Sequence, residues 1–307
     1  MAPVICVVGS INVDLVTRVP RIPAPGETIT GGDLATTFGG KGANQAVMAA
    51  RLGAHVRMIG RVGRDSFGDD IAANFQAEGV NGAFVLRDAR ATGVALISVD
   101  TVTGQNTIVV APGANQALSP DDVRQAADVI RTADVVIAQL ETPPEATIEA
   151  FRLARRAPKP PITIFNPAPA NLFPPELYTL ADVITPNEFE AALIAGAPPI
   201  TTDADALAAG RAIQERGGQT VVVTLGERGA LLIDPSGAAV TIPVEKVQAV
   251  DTVGAGDAFT GALGYFLGMG IAMPEAVRRA CAIASLSVLK PGAMASFPRR
   301  AEVPHLV

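Results

Sequence analysis

The chain has no tryptophan and only two cysteines, two histidines and two tyrosines among its 307 residues. Cys6 and Cys281 cannot form a disulfide framework or a four-thiolate metal site. His55 and His305 leave little basis for a zinc hydrolase or for a serine–histidine–aspartate triad. Carboxylates, amides, lysine and the glycine backbone remain as the groups available for chemistry. We expect both cysteines to be buried as small hydrophobic residues.

Long apolar runs and clusters of basic residues are also missing. No stretch approaches the ~18 consecutive apolar residues of a membrane helix, and the N-terminus lacks the features of a signal peptide. The net charge is −6, and phosphate-backbone binding would need clustered positive charge. We therefore expect a soluble, cytoplasmic protein with reduced thiols that binds neither nucleic acid nor membranes.

Hydrophobic residues make up 49% of the chain, enough for a sizeable core, and short β-branched runs alternate with helical patterns. This alternation predicts right-handed βαβ units and hence a doubly wound α/β fold, with a mainly parallel sheet sandwiched by helices. The predicted strands are 4–8, 56–59, 135–140, 162–165, 183–185 and 221–225. The predicted helices are 43–52, 68–78, 120–131, 144–155, 187–195, 203–216, 255–267 and 273–289.

Two regions interrupt the alternation with extended segments instead of helices. They predict a small inserted β-sheet lid, for which ordinary surface hairpins are the alternative. The predicted lid comprises residues 12–38 and 92–111. The predicted α/β body, whose strand ends are expected to carry the ligand sites, comprises residues 1–11, 39–91 and 112–307.

A glycine-rich loop precedes the first predicted helix. Three glycines surround Lys41, so the backbone can approach a ligand closely, and Lys41 and Asn44 add hydrogen-bond donors. The loop lacks the Walker A spacing and suits a polyhydroxyl or anionic ligand; a solvated turn is the alternative. The string Gly-Ala-Asn-Gln-Ala occurs at 42–46 and again at 113–117, and we interpret the repetition as local loop chemistry.

Asn12 and Asp14 follow the first strand and point to the same side of an extended chain. An amide and a carboxylate placed in this way could form hydrogen bonds to neighbouring hydroxyl groups of a ligand. An Asx turn without a ligand is the alternative.

A second glycine-rich segment, residues 251–257, precedes a helix near the C-terminus. Amides at a helix N-terminus bind anions, and glycines keep side chains away from them. Asp257 would sit beside that anion, which suits a general base that deprotonates a hydroxyl during phosphoryl transfer. The alternative is an aspartate that only stabilises the helix dipole.

Two further strand ends carry polar residues. Asn187 and Glu190 share one helical face and could hold the waters of a magnesium ion, although they also suit a plain helix start. The loop 224–229 follows a buried strand and could lie along a nucleotide.

Together these residues resemble the ribokinase-type (PfkB) family of carbohydrate kinases. The similarity extends from Gly9 to Gly292. Residues 39–42 and 251–257 are its most specific motifs in combination, and three further segments fit the same pattern: 139–141, 166–170 and 185–188.

The resemblance implies ATP-dependent phosphorylation of ribose at its 5-hydroxyl, with Asp257 as the base. It implies that the amides of Gly254, Ala255 and Gly256 stabilise charge on the γ-phosphate. It assigns the sugar to Asn12, Val13, Asp14, Gly40, Lys41, Gly42, Ala43, Asn44, Glu141 and Asp257.

The resemblance also implies nucleotide and metal sites, and a lid that clasps a second subunit to give a homodimer. It assigns the nucleotide to Asn187, Thr224, Leu225, Gly226, Glu227, Arg228, Gly229, Gly256 and Cys281. It places Mg²⁺, held through water, near Asn187 and Glu190. It assigns K⁺ to Asp251, Val253, Ser287, Lys290, Gly292 and Ser296, several of them through backbone carbonyls.

Two positions depart from the family pattern. Cys281 stands where histidine or asparagine is common near the adenine, and Lys290 stands where arginine is common. A deoxyribose, other pentose or nucleoside kinase is an alternative function. A non-catalytic sugar-binding regulator is another, but it would be signalled by loss of Asp257 or of its flanking glycines, and all of these are present.

Overall fold

The computed structural model describes residues 1–307 and contains thirteen strands and ten α-helices. The strands are β1 (Val4–Val8), β2 (Asn12–Val19), β3 (Leu34–Gly39), β4 (His55–Gly63), β5 (Val80–Asp88), β6 (Gly93–Asp100), β7 (Asn106–Ala111), β8 (Val135–Ala138), β9 (Ile162–Phe165), β10 (Val183–Ile184), β11 (Thr220–Thr224), β12 (Ala230–Ile233) and β13 (Ala239–Ile242). The helices are α1 (Lys41–Leu52), α2 (Ser66–Ala77), α3 (Pro120–Gln125), α4 (Ala127–Arg131), α5 (Pro144–Arg155), α6 (Glu176–Leu180), α7 (Glu188–Ala195), α8 (Asp203–Glu215), α9 (Ala255–Gly268) and α10 (Met273–Ser287).

A nine-stranded sheet has the order β13-β12-β11-β10-β9-β8-β1-β4-β5. Neighbouring strands from β5 to β11 in this order pair in parallel, while β12 pairs antiparallel with both β11 and β13 at one edge. The chain leaves β1 to form β4 on one side and later returns to form β8 on the other. Ligands of open α/β sheets bind at such a switch point, outside the carboxyl ends of the strands.

The alternation of side chains along β1 shows why this sheet is buried on both faces. Ile5 and Val7 belong to a hydrophobic cluster that includes side chains of α1, α9 and α10. Cys6 and Val8 belong to a second cluster that includes side chains of α5 and α8. The predicted doubly wound, mainly parallel sheet between helices is confirmed.

The four extended segments form a separate sheet with the order β3-β2-β6-β7. The central pair β2 and β6 is parallel, and both outer pairs are antiparallel. Asn12, at the start of β2, is in register with Gly39 on one side and Gly93 on the other. The predicted small β-sheet is therefore present.

Several element assignments from the sequence were wrong. The strand β5 was missed because Asn81 and Gly82 interrupt its apolar pattern. The strands β12 and β13 were missed because they form a short hairpin at the edge of the sheet. Within the predicted lid segment 12–38, residues 20–33 form no strand, because the strands there are only Asn12–Val19 and Leu34–Gly39. The helix expected at 120–131 divides at Ala126, and the last helix ends at residue 287 rather than 289.

Both cysteines are buried, as expected. Burial raises the pKa of each thiol to about 12, so neither is a reactive thiolate at neutral pH. No helix is long and apolar enough to cross a bilayer.

A buried ion pair joins three distant parts of the body. Arg51 of α1 donates two hydrogen bonds to the carboxylate of Glu78, at 2.9 and 2.7 Å, and both side chains are 9% exposed. The same guanidinium donates to the carbonyl oxygens of Met294 and Phe297 at 2.7 and 2.8 Å. It therefore ties α1 and the end of α2 to the C-terminal segment.

We predict that Arg51→Met lowers the free energy of unfolding by about 3 kcal/mol, because the buried carboxylate of Glu78 then keeps only the exposed guanidinium of Arg299 as a partner, at 3.0 Å. Arg152→Met breaks a bidentate pair with Glu176 that is largely exposed, and it should cost about 1 kcal/mol or less. Urea unfolding at neutral pH measures both values. Equal losses in the two variants would contradict the stabilising role of the buried pair.

The same ion pair also makes the free energy of unfolding depend on pH. Hydrogen bonding to Arg51 lowers the pKa of Glu78, so its stabilising effect is present at neutral pH and is lost as the pH falls below the ordinary glutamate range. This acid-side loss of stability should be smaller in Arg51→Met than in the parent protein.

Candidate active site

A polar cavity of about 140 Å³ opens between the first turns of α1, α7 and α9. Its wall is almost entirely polar or glycine, unlike the core on either side. Two of its hydroxyl groups, on Thr185 and Thr260, are buried without a hydrogen-bond partner in the protein. The lining residues are Lys41, Asn166, Ala168, Thr185, Asn187, Glu190, Thr224, Gly254, Gly256, Asp257 and Thr260.

The carboxylate of Asp257 lies in the first turn of α9 and is buried. It accepts hydrogen bonds from Asn44 Nδ2 and Gln45 Nε2, both at 2.9 Å. Burial raises its pKa above the ordinary aspartate value, while Lys41 and the two amides act in the opposite direction. A buried carboxylate with this balance can accept a proton from a hydroxyl group beside it.

Lys41 begins α1 and also lines the cavity. Burial would lower its pKa, but the carboxylates of Asp257, Glu141 and Glu190 raise it above the ordinary lysine value. The ammonium group is therefore the fixed positive charge of the site. From this position its positive charge can balance the negative charges of the carboxylates and of a bound anion.

Asn12 and Asp14 lie at the start of β2, as their spacing predicted. Asn115 Nδ2 donates to Asn12 Oδ1 at 2.7 Å, which leaves the Asn12 amide nitrogen to donate elsewhere. The carboxylate of Asp14 lies against Gly39, where any side chain would collide with it. Burial, Glu141 and Asp257 raise the pKa of Asp14 to about 6.

Glu141 anchors the start of α1 from the loop after β8. Its Oε2 accepts the hydroxyl of Ser10 and the amide of Lys41, the latter at 3.1 Å. Gly40 has a φ of +87°, and a Cβ there would lie 2.7 Å from the backbone nitrogen of Asn12. The chain can therefore pass from β3 into α1, beside the start of β2, only with glycine at this position.

The other residues expected around the sugar make contacts that hold the glycine loop and the core together. Val13 is fully buried in the core. Gly42 donates its amide to Ser10 Oγ at 3.3 Å, and Ala43 donates to the Ser10 carbonyl at 2.9 Å. Asn44 Oδ1 is buried without a partner, so it is available to accept a ligand hydroxyl.

The N-terminus of α9 presents the amides expected to bind an anion. Gly254 caps the helix with a φ of +80°, and a Cβ there would lie 2.8 Å from the Cβ of Ala293. The amide of Ala255 turns back to the Thr252 carbonyl at 3.3 Å. The next amides, beginning with Gly256, have no carbonyl one turn earlier to bind and are open to a ligand.

A second cavity, of about 370 Å³, adjoins the first and shares Thr224 and Gly256 with it. It is larger and mostly apolar, and Phe259 forms part of its wall. Five residues assigned to the nucleotide besides Gly256 line it: Thr224, Gly226, Glu227, Gly229 and Cys281.

Two other residues assigned to the nucleotide have side chains elsewhere. Leu225 is 2% exposed and belongs to the core. Arg228 pairs with Glu188 and Asp203 at the surface.

Asn187 and Glu190 form a reciprocal capping box at the start of α7. Asn187 Oδ1 accepts the Glu190 amide at 2.8 Å, and Glu190 Oε2 accepts the Asn187 amide at 2.9 Å. Both residues still line the polar cavity beside the unpaired hydroxyls of Thr185 and Thr260. The side chains of Asn187 and Glu190 and the two unpaired hydroxyls offer a few oxygen donors on one wall, which fits a hydrated Mg²⁺ that keeps several waters.

The residues assigned to K⁺ lie around the loop that follows α10. Asp251 accepts the amides of Val253 and Gly292, at 3.0 and 2.8 Å, and so joins this loop to the segment before α9. The hydroxyls of Ser287 and Ser296 donate to nearby carbonyls and are buried. A carboxylate, hydroxyls and carbonyls form an all-oxygen donor set that fits a potassium ion.

Lys290 contributes no side chain to that set. Its ammonium group lies 3.3 Å from Glu302 at the surface. Only the backbone carbonyl of Lys290 remains as a donor for the loop.

Sequence reasoning missed four buried amide residues that support the site. Gln45 and Asn115 contact the side chains of Asp257 and Asn12 directly. Gln139 and Asn166 hold Gln45 from either side. Asn115 lies in the second Gly-Ala-Asn-Gln-Ala string, so the repetition was the one signal that could have drawn attention to it.

Comparison with known proteins places the chain in a family. Residues 3–300 match the model described as the pfkB family carbohydrate kinase. The chain is 42% identical to the ribokinase of Mus musculus, over 99% of this chain and 94% of that protein. It is 35% identical to the deoxyribokinase of Salmonella typhi, over 96% of this chain and 95% of that protein.

A solved structure shows the same similarity in three dimensions. The ribokinase of Arabidopsis thaliana complexed with ribose and ATP aligns with a TM-score of 0.90 and 33% identity, covering 100% of this chain and 99% of that chain. The motifs, the fold and the near-complete coverage therefore agree. This chain belongs to the pfkB family of carbohydrate kinases.

Proposed function

We propose that this protein transfers the γ-phosphate of ATP to the 5-hydroxyl of D-ribose, giving ribose 5-phosphate and ADP. The observation that carries the proposal is the position of Asp257. It lies at the open N-terminus of α9, where the polar cavity beside the glycine loop meets the larger cavity. The similarity to enzymes named ribokinase supports ribose as the acceptor.

The sugar would bind in the polar space between the glycine loop and the small sheet. The open nitrogen of Asn12 and the carboxylate of Asp14 can hold neighbouring hydroxyls. Asn44 Oδ1, buried and unpaired, can accept another. The backbone at Gly40, the ammonium of Lys41 and the carboxylate of Glu141 complete this set.

Asp257 would act as the general base. Its carboxylate takes the proton of the 5-hydroxyl while that oxygen attacks the γ-phosphorus and the bond to ADP breaks. The amides of Gly254, Ala255 and Gly256 would face the charge on the transferring phosphoryl group; those of Gly254 and Gly256 have no partner within the protein, whereas that of Ala255 lies 3.3 Å from the Thr252 carbonyl. The positive charge of Lys41 offsets part of that negative charge.

The nucleotide would occupy the larger cavity, with its base near Cys281 and its phosphates near Thr224 and Gly256. Asn187 and Glu190 would hold Mg²⁺ through water; when bound, the ion neutralises phosphate charge. K⁺ would be held by Asp251, Ser287 and Ser296 with the carbonyls of Val253, Lys290 and Gly292. A cation there would order the loop that packs against Gly254.

Deoxyribose is the alternative acceptor that the comparisons favour most directly, since the chain resembles a deoxyribokinase at 35% identity. A nucleoside acceptor is less well supported. Tyr178 and Tyr265 are buried in the core rather than free to stack on a base. A non-catalytic sugar-binding regulator has no feature in its favour, because Asp257 and the glycines around it are intact.

We predict ADP release from ATP and magnesium with D-ribose, and faster release when potassium replaces a large organic cation. Parallel assays with 2-deoxyribose, fructose and adenosine measure acceptor choice. Release with only one of these other acceptors would change the assigned substrate and leave the proposed mechanism unchanged. Release with none, alongside measurable ribose binding by calorimetry, would support the non-catalytic regulator.

We predict that Asp257→Asn keeps its fold and loses at least ~10²-fold in turnover, the usual contribution of a general base. The amide retains the shape of the side chain but cannot accept the hydroxyl proton. Circular dichroism checks the fold, and ADP release checks turnover. Near-normal turnover would remove Asp257 from the mechanism.

We also propose that the segments 12–38 and 92–111 act as a lid and as the contact surface of a homodimer. On one face of this sheet, pairing between β2, β6 and β7 places a row of three apolar side chains next to the row that contains Asp14. Ile108 and Val110 on that face are 49% and 47% exposed, and exposed apolar patches of this kind mark interfaces. The rows are Asp14–Ala95–Val110 and Val16–Ile97–Ile108.

We predict that Ile108→Glu converts the dimer to a monomer, because it places a charge in the apolar face. Gln105→Glu is the control, since it places the same charge in the exposed turn between β6 and β7, outside the paired rows of the sheet. Light scattering coupled to size-exclusion chromatography measures the mass of each. An unchanged dimer in Ile108→Glu, or a monomer in both variants, would contradict the proposed surface.

A further inference from the structure

Gln45 is a fully buried amide that contacts the proposed base. Its Nε2 donates to Asp257 Oδ1 at 2.9 Å and to Asn166 Oδ1 at 3.2 Å. Its Oε1 accepts a hydrogen bond from Gln139 Nε2, so no polar atom of the Gln45 side chain is left without a protein partner. Asn44 differs, because it donates to the other oxygen of Asp257 and keeps an unpaired Oδ1 for a ligand.

Neighbouring amides fix which end of Gln45 faces the carboxylate. Gln139 Nε2 donates to Gln45 Oε1 at 2.6 Å. Asn166 Nδ2 donates to the Thr185 carbonyl at 2.8 Å, which turns its Oδ1 toward Gln45. Since a donor faces Gln45 Oε1 and two acceptors face its Nε2, only one orientation of the Gln45 amide satisfies all three contacts.

We propose that Gln45 is a positioning residue for phosphoryl transfer: its amide, held by Gln139 and Asn166, fixes the carboxylate of Asp257 toward the acceptor hydroxyl. This inference rests on the proposed function, in which Asp257 accepts the hydroxyl proton. The role is separate from substrate binding. Because both ends of the Gln45 amide are occupied by protein partners, Gln45 can hold the carboxylate of Asp257 in one position.

The hydrogen bond from Gln45 also stabilises the charged form of the base. Burial raises the pKa of Asp257, and Lys41, Asn44 and Gln45 lower it. Without the Gln45 donor, a larger fraction of Asp257 would be protonated at a given pH and unable to accept a proton. The charged groups around Asp257 are Lys41 on α1, Asp14 on β2, Glu141 after β8 and Glu190 on α7.

The test is the pH profile of Gln45→Met, which keeps the volume of the side chain and removes the amide. We expect kcat to fall about 10- to 100-fold, the loss expected for one hydrogen bond to a charged group. The KM for the sugar should change little, and the acid limb of the kcat/KM profile should move to higher pH. The deficit should therefore shrink as the pH rises, whereas Asp257→Asn should stay impaired at every pH.

Gln139→Met provides a second variant that leaves Gln45 in place but frees its amide. It should shift the acid limb in the same direction by a smaller amount, and it decides the question if Gln45→Met does not fold. Thr163→Val is the matched control, since Thr163 is fully buried and its hydroxyl donates to the Leu180 carbonyl. Its stability should fall while its pH profile stays that of the parent protein.

Three results separate this inference from the proposed function. A lower kcat with an unshifted acid limb in both glutamine variants would overturn the positioning role and leave Asp257 as the base. If the parent protein phosphorylates no sugar, carbon-13 titration of the Asp257 carboxyl gives the same information without turnover. A higher titration midpoint in Gln45→Met would then support the role, and an unchanged midpoint would overturn it.

Discussion

The site depends on a carboxylate that is taken out of water at the first turn of α9 and still needs to be ionised. Burial favours the protonated form of Asp257. The ammonium of Lys41, the amides of Asn44 and Gln45, and the positive end of the α9 dipole act against it. Because Lys41, Asn44 and Gln45 all lie in the first turns of α1 while Asp257 lies on α9, this balance exists only when α1 and α9 pack together.

The start of α1 is where that packing is organised. Glu141, after β8, accepts the hydroxyl of Ser10, after β1, and the amide of Lys41. One carboxylate thus connects the two strands at the switch point of the sheet with the glycine loop. The topology therefore places Lys41 and Asn44 beside Asp257, 213 residues further along the chain from Asn44.

The sequence predicted the parts of the site whose residues stand close together in the chain. Residues 39–42 and 251–257 each combine a glycine-rich turn with a helix start, so their chemistry can be read locally. Gln139 lies in the segment 139–141, which fits the family pattern, but its role could not be predicted in this way, because its partner Gln45 is 94 residues away and a buried glutamine leaves no periodic signal. The strands β12 and β13 were missed for a related reason: they are four residues each at a sheet edge, and pairing rather than pattern defines them.

The charges around the cavity also constrain what can enter it. Asp14, Glu141, Glu190 and Asp257 are coupled to one another or to Lys41, the one cation of this group. Such an excess of negative charge accepts a neutral polyhydroxyl compound readily, but it repels free polyphosphate. A nucleotide would therefore enter most favourably as a complex with a divalent cation. The free amides of α9 then face the one phosphate that has to come close to Asp257, and the acidic cavity and the anion-binding helix end become parts of a single arrangement for phosphoryl transfer.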